Sequence, residues 1–123
     1  MIKLMCFVKR NPALSREEFH QHWRTHHAEL VRKNSAAQRY VLRYEQNHRL
    51  PSDYGHGEPE YDGAVSQWFR SADDFYAMVF DPEYQAEVGP DEQYLLDFDK
   101  TLWILTEEEE VMVDGPATDP PRA

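Results

Sequence analysis

The sequence predicts an α+β domain of order β-α-β-β-α-β, in which a four-stranded antiparallel sheet carries both helices on one face. Three observations predict it. An apolar, strand-compatible run opens the chain, a capped segment of helical period follows it, and a strand followed by a capped helix recurs in the second half.

Ile2 to Lys9 reads as the first strand and ends at Asn11-Pro12, where proline removes a donor and starts a turn. Ser15-Arg16-Glu17-Glu18 is a capping box, and the periodic run continues to about Lys33 as helix one. Period two from Ala37 to His48 predicts strand two, with Tyr40, Leu42, Tyr44, Gln46 and His48 on one face. Leu50 to Glu60 holds Pro51, Gly55, Gly57 and Pro59, a long irregular link of the kind that forms lids. Asp62 to Arg70 resumes a strand, and Ser71-Ala72-Asp73-Asp74 opens helix two, which carries Phe75, Met78 and Val79. Asp81-Pro82 interrupts it and a short helix runs to about Val88. Gly89-Pro90 breaks the chain again before the run Tyr94 to Phe98, and Thr101 to Thr106 is the last strand. Residues 1–112 are read as one domain and 113–123 as a loose, acidic, proline-rich tail that either floats or docks on a partner.

Length and composition set further bounds. A chain of 123 residues with 41% hydrophobic content supports a single core. The lone cysteine, Cys6, has no disulfide partner, which fits a reducing cytoplasm. No leader and no membrane-length apolar stretch is legible. Net charge is −10 but divided: residues 1–50 hold ten Lys or Arg against four Asp or Glu, and the remainder holds three against nineteen. An acidic whole with dispersed basic residues excludes nucleic acid as the expected partner.

Function is sought in the run His20-Gln21-His22-Trp23-Arg24-Thr25-His26-His27. At about 100° per residue, with Phe19 set at 0°, Trp23 falls near 40°, Leu30 near 20°, His26 near −20° and His27 near 80°. Both histidines therefore border the stripe the helix must bury, where imidazole moves protons without a cofactor. A hollow between this helix and the sheet would be walled by Tyr40 or Tyr44, Trp68 and Trp103, which suits a flat aromatic or lactone substrate, with Asn47 or a tyrosine bonding a developing enolate. Spacing alone equally accommodates structural roles, and Asp62 after its glycine-rich turn is explained by turn chemistry as well as by proton relay. His22 with His26 forms an i, i+4 pair, and His56 and Glu58 lie in the loop. A zinc hydrolase would carry glutamate where Trp23 stands, so no metal is assigned. A sheet with apolar residues on both faces needs a second cover, which predicts a homodimer.

Ser15 to Phe19, His22-Trp23, His27, Leu30, Asn47-His48-Leu50-Pro51, the loop Tyr54-Gly55-x-Gly57-Glu58-Pro59-x-Tyr61-Asp62-Gly63 and Trp68-Phe69 together resemble the EthD domain family, part of the dimeric α+β barrel superfamily. The resemblance implies a ferredoxin-like protomer that pairs sheet to sheet into a dimeric α+β barrel. It also implies a cofactor-free acid/base enzyme (isomerase, cyclase or dehydratase) acting on a small aromatic, polyketide-like or lactone carbonyl compound. A non-catalytic ligand-binding accessory protein and a haem or quinol oxygenase are the alternatives. In the family's His-Trp-x-x-x-His pattern the last histidine is His27. His26 aligns with the histidine that methylmuconolactone isomerases place on this helix, and Tyr40 with their pocket tyrosine. Where those isomerases hold a cysteine this chain has Gln67, so a thiol mechanism is not carried over. The expected catalytic residues are thus His27, His26 and Tyr40, and the expected substrate-binding residues Trp23, Tyr44, Asn47, Asp62, Trp68 and Trp103.

Overall fold

The computed structural model describes residues 1–107 and 109–116. Its four strands are β1 (Ile2–Val8), β2 (Arg43–His48), β3 (Gly63–Phe69) and β4 (Leu102–Thr106), arranged β2-β3-β1-β4 with every neighbour antiparallel. Opposed residues share a face in such ladders. The pairs Leu4 with Gln67, Cys6 with Val65, Gln67 with Tyr44 and Cys6 with Trp103 therefore define one inner face. Lys3, Met5, Phe7, Trp68, Arg43, Leu102 and Ile104 alternate onto the outer face.

Six helices supply the cover where the sequence predicts two principal ones and a short third: α1 (Arg16–His22), α2 (Ala28–Lys33), α3 (Ser35–Tyr40), α4 (Ala72–Val79), α5 (Pro82–Glu87) and α6 (Gly89–Leu95). Ser15 caps α1 reciprocally with Glu18, as its sequence pattern requires. The predicted start of strand two at Ala37 is corrected. Asn34 accepts a hydrogen bond from Ala37 N and caps a further helical turn, so the strand begins only at Arg43. Gly89-Pro90, read as a break, instead opens α6 with proline in its first turn, where the missing N–H costs nothing. Of the predicted tail, 117–123 lie outside the described residues, as does residue 108. Among the described residues no helix is long and apolar enough to cross a membrane.

Two clusters form the core between helices and inner face. One gathers Leu4, Val31, Phe69, Phe75, Met78 and Val88. The other gathers Cys6, Val8, Leu14, Phe19, Trp23, Val65 and Leu95. Gly63 makes the second possible, since a Cβ there would stand 2.6 Å from the Asn47 carbonyl and 2.7 Å from the Trp23 ring. Only glycine lets the indole lie this close to the sheet.

The first helix departs from regular α geometry where its histidines sit. Trp23–His27 is a π-helical turn, with the Trp23 carbonyl accepting from Ala28 N and from Gln46 Nε2 at 2.9 Å. The Thr25 hydroxyl bonds back to the Gln21 carbonyl at 2.6 Å, another intrusion into the regular ladder. A π turn absorbs one extra residue and sets everything after it back by about 100°. His27 thereby moves from about 80° to about −20° on the wheel, the place an unbroken helix gives His26. Val31 likewise replaces Leu30 on the stripe, and the buried set is Phe19, Trp23, His27, Ala28 and Val31.

Candidate functional site

Between the first helical segment, α4 to α6 and the inner face lies a cavity of about 370 Å³. Most of its wall is apolar, built from Leu4, Val8, Val65, Met78 and Leu95 among others, and Trp103, 56% exposed, stands at its open side. Polar groups converge on it from four elements. His27 comes from the π turn, Tyr44 and Gln67 from the adjacent strands β2 and β3, and Glu92 from α6.

His27 is buried, and its Nδ1 lies 2.8 Å from Asp91 Oδ2. A carboxylate can only accept, so Nδ1 carries the proton and Nε2 keeps its lone pair. Among the described residues nothing hydrogen-bonds that Nε2. Burial holds the ring's pKa below its ordinary value, opposed by the hydrogen bond and charge of Asp91. The ring is therefore a neutral base of fixed tautomer.

Tyr44 Oη accepts from Gln46 Nε2 at 3.1 Å. Burial raises its pKa, against hydrogen bonds from Gln46 and Trp23, so at neutral pH the hydroxyl keeps its proton and can donate it. Gln67 is nine-tenths buried, lines the cavity, and its Oε1 has no hydrogen-bond partner. An unmet buried acceptor of this kind costs stability unless a ligand's donor meets it. Burial, with repulsion from Asp91, pushes Glu92 up to about 7. The Cys6 thiol also touches the cavity, but burial drives it to about 12, where thiolate chemistry is closed at neutral pH.

Of the nine residues expected at the site, Trp23, His27, Tyr44 and Trp103 line this cavity. The other five lie elsewhere. The π turn carries the His26 side chain out to 60% exposure, with Nε2 3.9 Å from Asp91 Oδ1. Tyr40 ends α3 and packs against the core cluster of Leu4 and Phe69, with the Arg39 guanidinium 5.3 Å from its ring. Asn47 is on the outer face and bonds the Ala64 carbonyl at 3.2 Å. Trp68 is on the same outer face beneath Lys3 Nζ at 4.8 Å and the Arg43 guanidinium at 5.6 Å. Asp62 is fully buried beside the 50–60 loop, accepting from Arg10 N at 2.9 Å and the Tyr54 hydroxyl at 2.7 Å.

That loop is held by a second polar network. His20 Nε2 lies 2.8 Å from Tyr54 Oη, His20 Nδ1 2.7 Å from His48 Nδ1, and His48 Nε2 2.8 Å from Gln46 Oε1. Burial lowers His48 to about 4, helped by Arg24 and His20. The loop forms a 3-10 turn at Pro51–His56 rather than open coil.

Asp91 and Glu92 escaped the sequence reading because they follow a Gly-Pro pair that reads as a breaker, and nothing local ties Asp91 to a histidine so far along the chain. Gln67 entered it only as a departure from a cysteine.

The EthD domain profile matches residues 11–99. Among solved structures, an ethyl tert-butyl ether degradation (EthD) family protein from Bacillus halodurans is 16% identical, with a TM-score of 0.64 over 89% of this chain and 99% of that one. A dimeric protein of unknown function and ferredoxin-like fold from Bacteroides fragilis is 17% identical, with a TM-score of 0.64 over 87% and 95%. SnoaB, a cofactor-independent oxygenase from Streptomyces nogalater, is 8% identical, with a TM-score of 0.60 over 92% and 97%. At these identities the likeness is one of fold: α+β and ferredoxin-like. No curated protein matches the chain.

Proposed function

Since the chain belongs to the EthD domain family, we propose that it is a homodimeric acid/base enzyme that rearranges, cyclises or dehydrates a planar aromatic, polyketide-like or lactone carbonyl compound. One observation carries the reading. A buried histidine, held in one tautomer by Asp91, keeps its second nitrogen unbonded at a largely apolar cavity that Tyr44 also lines.

The chemistry follows from those two groups. His27 Nε2 takes a proton from the carbon next to a carbonyl, and the electron pair moves onto the carbonyl oxygen as an enolate. Tyr44 donates a hydrogen bond to that oxygen, stabilising charge where it develops. The imidazolium then returns its proton, to a different carbon in an isomerisation or to a departing hydroxyl in a dehydration. Asp91 steadies the transient cation. Gln67 Oε1 accepts from a substrate hydroxyl, which orients the ring system. A dry cavity of about 150 Å³ holds one benzene, so the larger space here suits more than one ring. SnoaB, which shares the fold, is a cofactor-independent oxygenase, so the fold elsewhere supports catalysis without a cofactor.

Pairing is supported by the outer sheet face, where Leu102 and Ile104 are 53% and 54% exposed, and by the dimeric Bacteroides fragilis protein of the same fold. A twofold copy would cover that face.

The test is deuterium uptake, followed by NMR, into a panel of hydroxylated aromatic ketones and lactones in heavy water. Wild-type protein should catalyse exchange next to the carbonyl of at least one compound, His27→Ala should lose ~10²–10⁴ of that rate, and Tyr44→Phe ~10²–10³. The exposed His56→Ala should match wild type. If His27→Ala stays folded and exchanges the compound equally fast, His27 is not the base, and if wild type binds members of the panel but catalyses no exchange, the protein is a binding module and not this enzyme.

A further inference from the structure

We propose that His22, His26 and Asp91 bind one transition-metal ion of the Zn²⁺ type at the outer side of the cavity wall. The two histidines alone are a chance-level helical pair, and what the fold adds is a carboxylate brought from α6 to complete them. His22 Nε2 lies 2.7 Å and His26 Nε2 3.9 Å from the same oxygen, Asp91 Oδ1. One donor atom from each residue falls within 4.8 Å of the others, and the two imidazole centroids are 4.8 Å apart. Tetrahedral zinc, with bonds of about 2.0–2.2 Å, sets its ligands about 3.3 Å from one another. His22 Nε2 already stands against the shared carboxylate oxygen, and the His26 ring, 60% exposed, has room to turn toward that geometry.

The donor set selects the ion. Two imidazoles and one carboxylate suit zinc, cobalt, nickel or copper, whereas calcium and magnesium demand oxygen ligands. Three protein ligands leave a fourth position, open to water on the exposed side of His26. Outer support is present as well: Asp91 Oδ2 accepts from His27 Nδ1, and the Tyr94 ring lies 4.9 Å from that of His22, walling one flank. Bound there, the ion would tie the end of α1 and the π turn to the first turn of α6. These are the two walls between which His27 and Glu92 enter the cavity. The ion is a clamp on the wall and takes no step in the proton transfer.

Tag-free protein, stripped with a chelator, is titrated calorimetrically with Zn²⁺, and in parallel with Co²⁺ while its visible absorption is recorded. Wild type should bind one Zn²⁺ per chain and give the intense d–d band of a low-symmetry Co²⁺ site, and Mg²⁺ should produce neither. His26→Ala and His22→Ala should each weaken binding at least about tenfold, while His56→Ala should not. Zn²⁺ should raise the melting temperature of wild type and leave that of His26→Ala unchanged. Because His26 is exposed, its variant folds whether or not the site is real. The proposal is overturned if His26→Ala binds Zn²⁺ within twofold of wild type, or if wild type binds none.

Discussion

A single residue inserted in a helix decides which histidine can do chemistry. On an unbroken helix His26 and His27 flank the buried stripe, and the sequence offers no way to choose between them. The π turn chooses by rotating His27 inward and His26 to solvent. Phe19, Trp23, His27 and Val31 stand four apart, a register the inserted residue permits, whereas a regular stripe alternates steps of three and four. Asp91 has no comparable signal: its partner lies on another element, and only the fold joins them. Gln67 is the residue at which site and stability oppose each other. Its Oε1 is buried without a protein partner among the described residues, and leaving such an acceptor unmet costs about 1–3 kcal/mol. Gln67→Leu should therefore raise stability in urea by roughly 1 kcal/mol while weakening the ligand that drives deuterium exchange about tenfold. Equal affinity in the variant would remove Gln67 from the binding site.

At the level of elements, the strands and first cap were legible because period and capping chemistry are local, and so was the long loop. What α3 does was not. Residues 37–40 fit the period-two run of strand two, yet the Asn34 cap and alanine-rich sequence make one more helical turn. The expectation of a lid at 50–60 meets a loop with substantial anchoring. Glu58 accepts from Lys9 Nζ at 2.8 Å, Arg10 at 2.7 Å and Arg16 at 3.0 Å, and buried Asp62 stands behind Lys9 and Arg10. Hydrogen bonds from Lys9 and Arg16 hold the Glu58 carboxyl down at about 2. A carboxyl depressed in the folded state stabilises above its unfolded value, about 4.3, and loses that contribution as pH falls toward 2. Half its side chain is exposed, so the contribution is screened and modest. The difference in stability between wild type and Glu58→Gln should be largest near neutral pH and shrink steadily below about pH 4, followed by urea melts at low salt. A difference that does not vary with pH would mean the clamp holds by shape and not by charge.

For the whole molecule, the decisive feature is the side of the sheet that no helix covers. β4 is an edge strand of sequence Leu-Trp-Ile-Leu-Thr in which every apolar side chain is exposed on one face or the other, a pattern an isolated protomer leaves open to edge pairing and aggregation. Phe7, Leu102 and Ile104 extend it across the outer face toward Trp68, whose ring is flanked by Lys3 and Arg43. A twofold copy laid face to face buries these aliphatic groups against their equivalents, and each buried aliphatic side chain of this size contributes about 1.5–3 kcal/mol. The charge imbalance between the two halves of the chain adds orientation more than energy, being screened at physiological salt. Ile104→Glu places a carboxylate at the centre of that patch and, by symmetry, a second one facing it. It should convert a dimer to monomer in sedimentation at micromolar concentration while circular dichroism stays native, because the side chain points away from both core clusters. Leu105→Glu lies on the same strand but on the inner side and is the matched control: it should leave the dimer intact. If Ile104→Glu sediments as wild type does, the uncovered face is not where two copies meet, and the apolar edge must be satisfied in some other way.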